Sequence, residues 1–289
     1  MLCAAAESGR SGRMIHYTER VRLLMQDIVA RVEPLSFIDP ASFSVFARFG
    51  RTGAEGAYAT CHCLCMPPSD PGYYFWRNSS GEVTRRSEWF VSKTPEVYVG
   101  QQRLDYLISF ALPRFCDQRL EHTRKRAHYP AGTESWIAKL DTVVHELYHI
   151  DPYKTGIRQM VRNDGKNSYR CHSPEFFTHV AELVQMYLDT KPDRSLYEFL
   201  RYDFDTLEGK YGRIVGTAFK SFPSYPQLYL EPLAEQPVAA GERIVPMKFP
   251  VRKQRYTEAD LDLRVFFQDG SRRLLAGPET PENDEKEAA

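Results

Sequence analysis

Five consecutive residues, His145-Glu146-Leu147-Tyr148-His149, carry the side chains best suited to chemistry in this chain. On a helix, two histidines four residues apart project from one face, one turn apart, so their imidazoles can meet at a single ion. Glu146 lies beside that face, where a carboxylate can take a proton from water. The combination suits metal-assisted hydrolysis: His145 and His149 as zinc ligands and Glu146 as general base. The competing reading is a surface helix with two solvated histidines and a solvated glutamate. The helix also has a separate apolar stripe, Ile137, Leu140, Val144 and Leu147. One side can therefore bury itself while the neighbouring side presents ligands.

A catalytic zinc needs a third protein ligand and one open position. His172 is the best candidate, because it stands at a junction just before the next helix and is held from both sides. Glu175 and His179 are its rivals, with Glu182 behind them. One of this group can be a ligand while another orients it.

The elements that must position these residues are legible in outline. Val21, Leu24, Met25, Ile28 and Val32 recur at helical spacing, and Pro34 ends that run. Alternation in 43–49 and again in 57–64, with a glycine-containing turn between, predicts a β-hairpin. Further strands are expected at 73–77, 89–92, 97–100 and 103–112. The stretch 116–129 reads as a loop or short helix. A helix over 135–150 is entered through Gly132-Thr133 and ended by Asp151-Pro152. The segment 153–171 is a polar connection. A second strong helix covers 174–188, with Ser173 as its cap and Pro174 in its first turn. A third helix is expected over 195–211, followed by short β-like runs that include 264–267. The expected organisation is a flexible extension at 1–15, a metallopeptidase domain at 16–220, a β-rich extension at 221–275 and a disordered acidic tail at 276–289. Met14 could serve as an alternative start.

His172-Ser173-Pro174-Glu175-Phe176 resembles the His-Gly-Pro-Glu-Phe segment of SprT-like (Spartan-type) zinc proteases, in which that histidine is the third ligand. His145 to Ile150 is similar to the corresponding text of the phage metallopeptidase family, as are Phe37-Ile38-Asp39-Pro40 and Ala59-Thr60-Cys61-His62. The likeness spans roughly 17–216 and is sharp only at the two histidine segments. Ser173 replaces the glycine, and the gap between the ligand segments is longer than in the Spartan pattern. The resemblance implies an α+β, zincin-like fold: a small sheet beside the active-site helix, with a second helix closing the pocket. It also implies Zn²⁺ on His145, His149 and His172, and a protein or peptide substrate.

Composition is compatible with that reading. Hydrophobic residues make up 42% of 289, with 17 Tyr and 17 Phe available for a core, which is globular usage. The formal net charge is +0, so the overall field argues neither for nor against nucleic acid. Arg119, His122, Arg124, Lys125, Arg126 and His128 form a basic cluster, but lack interleaved aromatics and read first as a solvated loop. A zinc-stabilised DNA- or protein-docking module is the alternative function, and intact Glu146 argues against it. No apolar run reaches the ~20 residues of a membrane span, and no secretory signal is evident, so a cytoplasmic location is expected. The sequon at Asn78 then carries no meaning. Cys61, Cys63 and Cys65 would share one face of a strand; a second metal site there would need help from elsewhere, such as Cys116 or Cys171, and buried cysteine more often acts as a small hydrophobe.

Overall fold

The first helix shows why the chain folds as it does: Tyr17, Val21, Leu24, Met25 and Ile28 are all fully buried along one side. That side needs a sheet to cover, and two of the five sheets among the described residues pack against it. A computed structural model describes residues 13–53, 55–65, 73–77, 83–91, 95–153, 156–158, 160–161, 167–168, 172, 174–223, 231–232 and 255–275. In chain order, β1 (Met14–His16) leads into α1 (Tyr17–Arg31), followed by β2 (Phe43–Gly50) and β3 (Ala59–Cys63). Then come β4 (Tyr73–Arg77), β5 (Val83–Val91), β6 (Glu96–Val99), β7 (Gln102–Arg103) and β8 (Tyr106–Pro113). The helix α2 (Ile137–Tyr148) precedes β9 (Met160–Val161), β10 (Asn167–Ser168) and α3 (Pro174–Asp189). The remainder is α4 (Phe204–Tyr211), β11 (Arg213–Phe219), β12 (Glu231–Pro232), β13 (Arg255–Tyr256), β14 (Leu261–Phe266) and β15 (Arg272–Leu274). The fold is mixed α+β.

The sheet that matters for the site has the order β2-β8-β3. Every residue of its central strand β8 is buried, because side chains leave a strand on alternate faces and both faces are covered. Val45, Ala47, Tyr106, Ile108, Phe110 and Cys63 join the main core with the helices. Phe46 and Leu107 point the other way, into a smaller core with Leu64, Val97, Phe219 and Tyr256.

The expected hairpin does not form. β8 lies between its two arms, parallel to β2 and antiparallel to β3. Alternation identified both strands, but the most apolar strand of the chain takes the centre, where burial on two faces suits it best.

The second sheet has the order β1-β11-β14-β15. Met14 and Ile15, expected in an N-terminal extension, pair with Arg213 and Ile214. β14 pairs antiparallel with β11, and Phe266 reaches the main core. The backbone N–H of Thr217 donates to the Thr18 hydroxyl across 199 residues of chain. β11 meets β2 at Gly216. A Cβ there would come within 2.8 Å of the Ala47 Cβ and 3.1 Å of a Phe266 ring carbon. Gly216→Ala is therefore expected to destabilise by about 1–3 kcal/mol through overpacking, read as a lower urea midpoint at unchanged slope. An unaltered midpoint would mean that the sheets separate freely at that point.

The third expected helix is interrupted. Short 3-10 turns occupy Arg194–Leu196 and Glu198–Arg201, and regular helix resumes only at Phe204. Two long-range bonds explain the break. The Lys139 ammonium donates to the carbonyl of Tyr202 at 2.6 Å, and Asp117 accepts from the backbone N–H of Phe204 at 3.0 Å. Asp203 then caps α4 by accepting from Thr206. The helix expected over 135–150 also starts later, at Ile137, with Trp136 at its cap and no side-chain cap bond. Ser135 is engaged elsewhere, accepting from Leu120 N–H and donating to Glu121.

Among the described residues no helix is long and apolar enough to cross a membrane. The expectations for Ser173 and Asn78, for most of the 153–171 connection, and for the tail at 276–289 lie outside the described residues.

Candidate metal centre

The helix α2 is buried on nearly all sides: Ile137, Ala138, Leu140, Val143, Val144 and Leu147 are covered, and so are the polar Lys139, Asp141, Thr142 and Glu146. Helices of this kind belong inside a domain, and α2 is fixed between β3 on one side and α1 and α3 on others. His149 sits at its C-cap but keeps helical dihedrals, φ −69° and ψ −19°, so the one-turn spacing from His145 holds. Its final carbonyls are claimed by Arg158, whose side-chain Nε donates to Tyr148 O at 2.7 Å and whose backbone N–H donates to His149 O. A cation suits this end of a helix.

Three imidazoles converge beyond that helix end. Ring centroids lie 4.8 Å apart for His145 and His149, 4.7 Å for His145 and His172, and 4.9 Å for His149 and His172. One nitrogen from each falls within 4.8 Å of the other two. The Nε2 atoms of His149 and His172 are 3.0 Å apart. Either one carries a proton and donates to the other, or both turn lone pairs toward a shared cation. Ligands about 2.05 Å from a tetrahedral zinc sit roughly 3.3 Å from each other, so the pair needs to spread only slightly.

The donor set fits zinc: nitrogen ligands, two of them on successive turns of a rigid helix. Burial, helped by neighbouring positive groups, holds His145 well below the usual histidine range. Burial likewise takes His149 to about 3 and lowers the more exposed His172. All three are therefore neutral at pH 7, the form that can donate a lone pair. The Nδ1 atoms of His145 and His149 are buried without a hydrogen-bond partner among the described residues.

Aromatic rings close one side of the cluster. Phe176, the third residue of α3, lies 4.7, 5.0 and 4.6 Å from the three imidazoles, and Phe177 flanks His145 and His172. The start of α3 thus brings His172 to α2 and also walls the cluster with apolar surface.

Glu146 is buried, on the β3 side of α2. Burial raises its carboxyl to about 8, while Lys125, the backbone of Cys61 and Arg48 pull in the other direction. The motif spacing identified Glu146. The groups that act on it, the Cys61 backbone on β3 and the charges of Lys125 and Arg48, come from segments whose own patterns mark strands and a basic stretch but not this meeting.

The rival ligands stand elsewhere. His179 is exposed, and its Nδ1 is 3.0 Å from the Tyr148 hydroxyl. Glu175 and Glu182 are also exposed and outside the cluster. The Cys61, Cys63 and Cys65 group contains no set of ligands converging on one point, and Cys171 lies outside the described residues. A cavity of about 300 Å³ lined by Gln118, Trp136, Lys139 and Asp203 is at the opposite end of α2 and includes no residue of the cluster.

The basic segment 119–128 differs from a simple solvated loop: it forms 3-10 turns at Leu120–His122 and Arg124–His128, and Leu120 is fully buried. Lys125 forms an ion pair with Asp141 at 2.5 Å, with side chains only 12% and 2% exposed, and also donates to Thr142. Tyr129 donates to the other oxygen of Asp141. One helical turn before His145, this network anchors the segment against α2. Asp141→Asn leaves the ammonium buried without its counter-charge and is expected to cost about 3 kcal/mol. Urea unfolding measures it, and a loss below about 0.5 kcal/mol would mean that solvent screens the pair.

Compared with protein-family models, with curated proteins and with solved structures, the chain matches none.

Proposed function

We propose that this chain is a zinc-dependent metallopeptidase with a zincin-like arrangement, in which His145, His149 and His172 hold the ion and Glu146 is the general base. The observation that carries the reading is the convergence of three imidazoles, one of them on α2 directly next in sequence to a buried carboxyl. A structural zinc site is normally closed by four protein ligands. Among the described residues this cluster offers three, and Glu146 has no structural task in such a site.

Zinc held there supplies Lewis-acid polarisation and acidifies water near neutral pH. The remaining work falls to the chain. Glu146 must accept a proton from the attacking water and return it to the leaving amine. A dication beside it favours its ionised form in the same sense as Lys125 and Arg48 do. Phe176 and Phe177 keep water from one side of the cluster, which strengthens each electrostatic contact inside. The rigid turn between His145 and His149 fixes two ligands relative to the base before any substrate arrives.

Metal analysis of the full chain, paired with cleavage of an unstructured protein such as casein, tests the proposal. One zinc per chain and chelator-sensitive cleavage are expected. Stoichiometric zinc without cleavage of any unstructured protein would favour a docking module instead.

A further inference from the structure

We infer that Cys63 and Cys65 form a reversible intrachain disulfide, which makes the end of β3 a site of oxidative modification. Their sulfurs are 3.3 Å apart, and both are free thiols in this structure. A disulfide needs about 2.05 Å, so the sulfurs must close by roughly 1.2 Å, within the reach of side-chain rotation. Both cysteines border the main core, on the helix-facing side of β3.

The two thiols are not equivalent. Cys63 is fully buried, whereas Cys65 is partly exposed and open to a small oxidant. The Cys63 thiol faces both the Cys65 sulfur, 3.3 Å away, and the Cys65 carbonyl oxygen, 2.9 Å away, and hydrogen bonding from Cys63 draws the Cys65 thiol below the usual thiol range. Cys63 is pushed the other way. Burial raises Cys61 as well, and takes Cys116 to about 12. Thiolate is the reactive form, so among the described cysteines Cys65 reacts first and Cys63 stands in contact to resolve it.

With a hydroperoxide as oxidant the chemistry balances. The Cys65 thiolate attacks one peroxide oxygen, the O–O bond breaks, and the departing hydroxide takes a proton to become water; Cys65 is now a sulfenic acid. Cys63 then loses its proton and its sulfur attacks the Cys65 sulfur. The S–S bond forms, the S–O bond breaks, and hydroxide leaves with that proton as a second water. Two electrons pass from the thiols to the peroxide. The ring spans one residue, Leu64. Such strain favours ready reduction by a dithiol.

Tyr106 connects this pair to the metal centre. Its hydroxyl donates to the Gly156 carbonyl at 2.8 Å and accepts from the Asp151 backbone N–H at 3.4 Å, just beyond His149. The modification itself does not depend on the proposed peptidase activity.

Trypsin should release 52–77 as one peptide, since no Lys or Arg lies between Arg51 and Arg77. It carries Cys61, Cys63 and Cys65. The reduced full-length chain is treated with hydrogen peroxide, its remaining thiols are alkylated with iodoacetamide, and the peptide is analysed by mass spectrometry. The expected product has one alkyl group, on Cys61, and has lost two hydrogens; dithiothreitol before alkylation restores three alkyl groups. Cys65→Ser should leave Cys63 alkylated, and Cys61→Ser should leave the bond intact. Three alkyl groups after peroxide, a sulfinic acid on Cys65 with Cys63 still alkylated, or a bond that includes Cys61 would each overturn the inference. The wild-type experiment stands without either variant.

Discussion

Replacing Glu146 by glutamine is expected to lower turnover by roughly 10²–10⁴-fold while the zinc content stays at one per chain. The amide matches the carboxyl in size but cannot take a proton from water. Folding is not expected to suffer. Glu146 is 4% exposed, and burial already works against its charged form, raising it to about 8. Glutamine therefore places a neutral group where the protein disfavours a charge. Metal analysis and initial rates on casein, measured on the same preparation, separate the two effects. A variant that retained full activity would remove Glu146 from the mechanism, and one that lost its zinc would make it a ligand.

The second large effect concerns His172. His172→Ala removes one of three nitrogens and is expected to weaken zinc binding by well over ~100-fold, more than the loss of an orienting partner costs. A hundredfold loss removes about 2.7 kcal/mol of the stabilisation that added metal provides, so the zinc-induced rise in Tm should collapse. His179→Ala is the control. It breaks only the contact with Tyr148 on an exposed part of α3, and its zinc affinity should stay within a few-fold of the parent. Competition against a chromogenic chelator reads both variants. Equal losses at His172 and His179 would mean that the two histidines share the role, and an unchanged His172→Ala would transfer it.

What the sequence reveals and what it conceals divide along a physical line. His145, Glu146 and His149 were legible because helical periodicity alone puts them together. His172 was legible as a junction residue, although its approach to His149 is a matter of tertiary folding. The strands of the central sheet were found by alternation, but alternation says nothing about partners, and β8 separates β2 from β3. The break before α4 was hidden because Lys139 and Asp117, which capture the Tyr202 carbonyl and the Phe204 N–H, lie far away in sequence. Lys125 looked like one charge among many in a basic stretch. Its pairing with Asp141 needs α2 in place. The meeting of Glu146 with the Cys61 backbone and with the charges of Lys125 and Arg48 needs the same tertiary context.

The pairing of Met14 with Arg213 and of Thr18 with Thr217 also has a consequence for synthesis. At ~5–20 residues per second, the 199 residues separating the two threonines take roughly 10–40 s to emerge from a ribosome. Throughout that interval α1 has no β11 to lie against, and the part of its buried side that β11 covers stays open. A nascent chain in this condition is a natural client for holding chaperones, and truncation before residue 213 should yield aggregates rather than a smaller working unit.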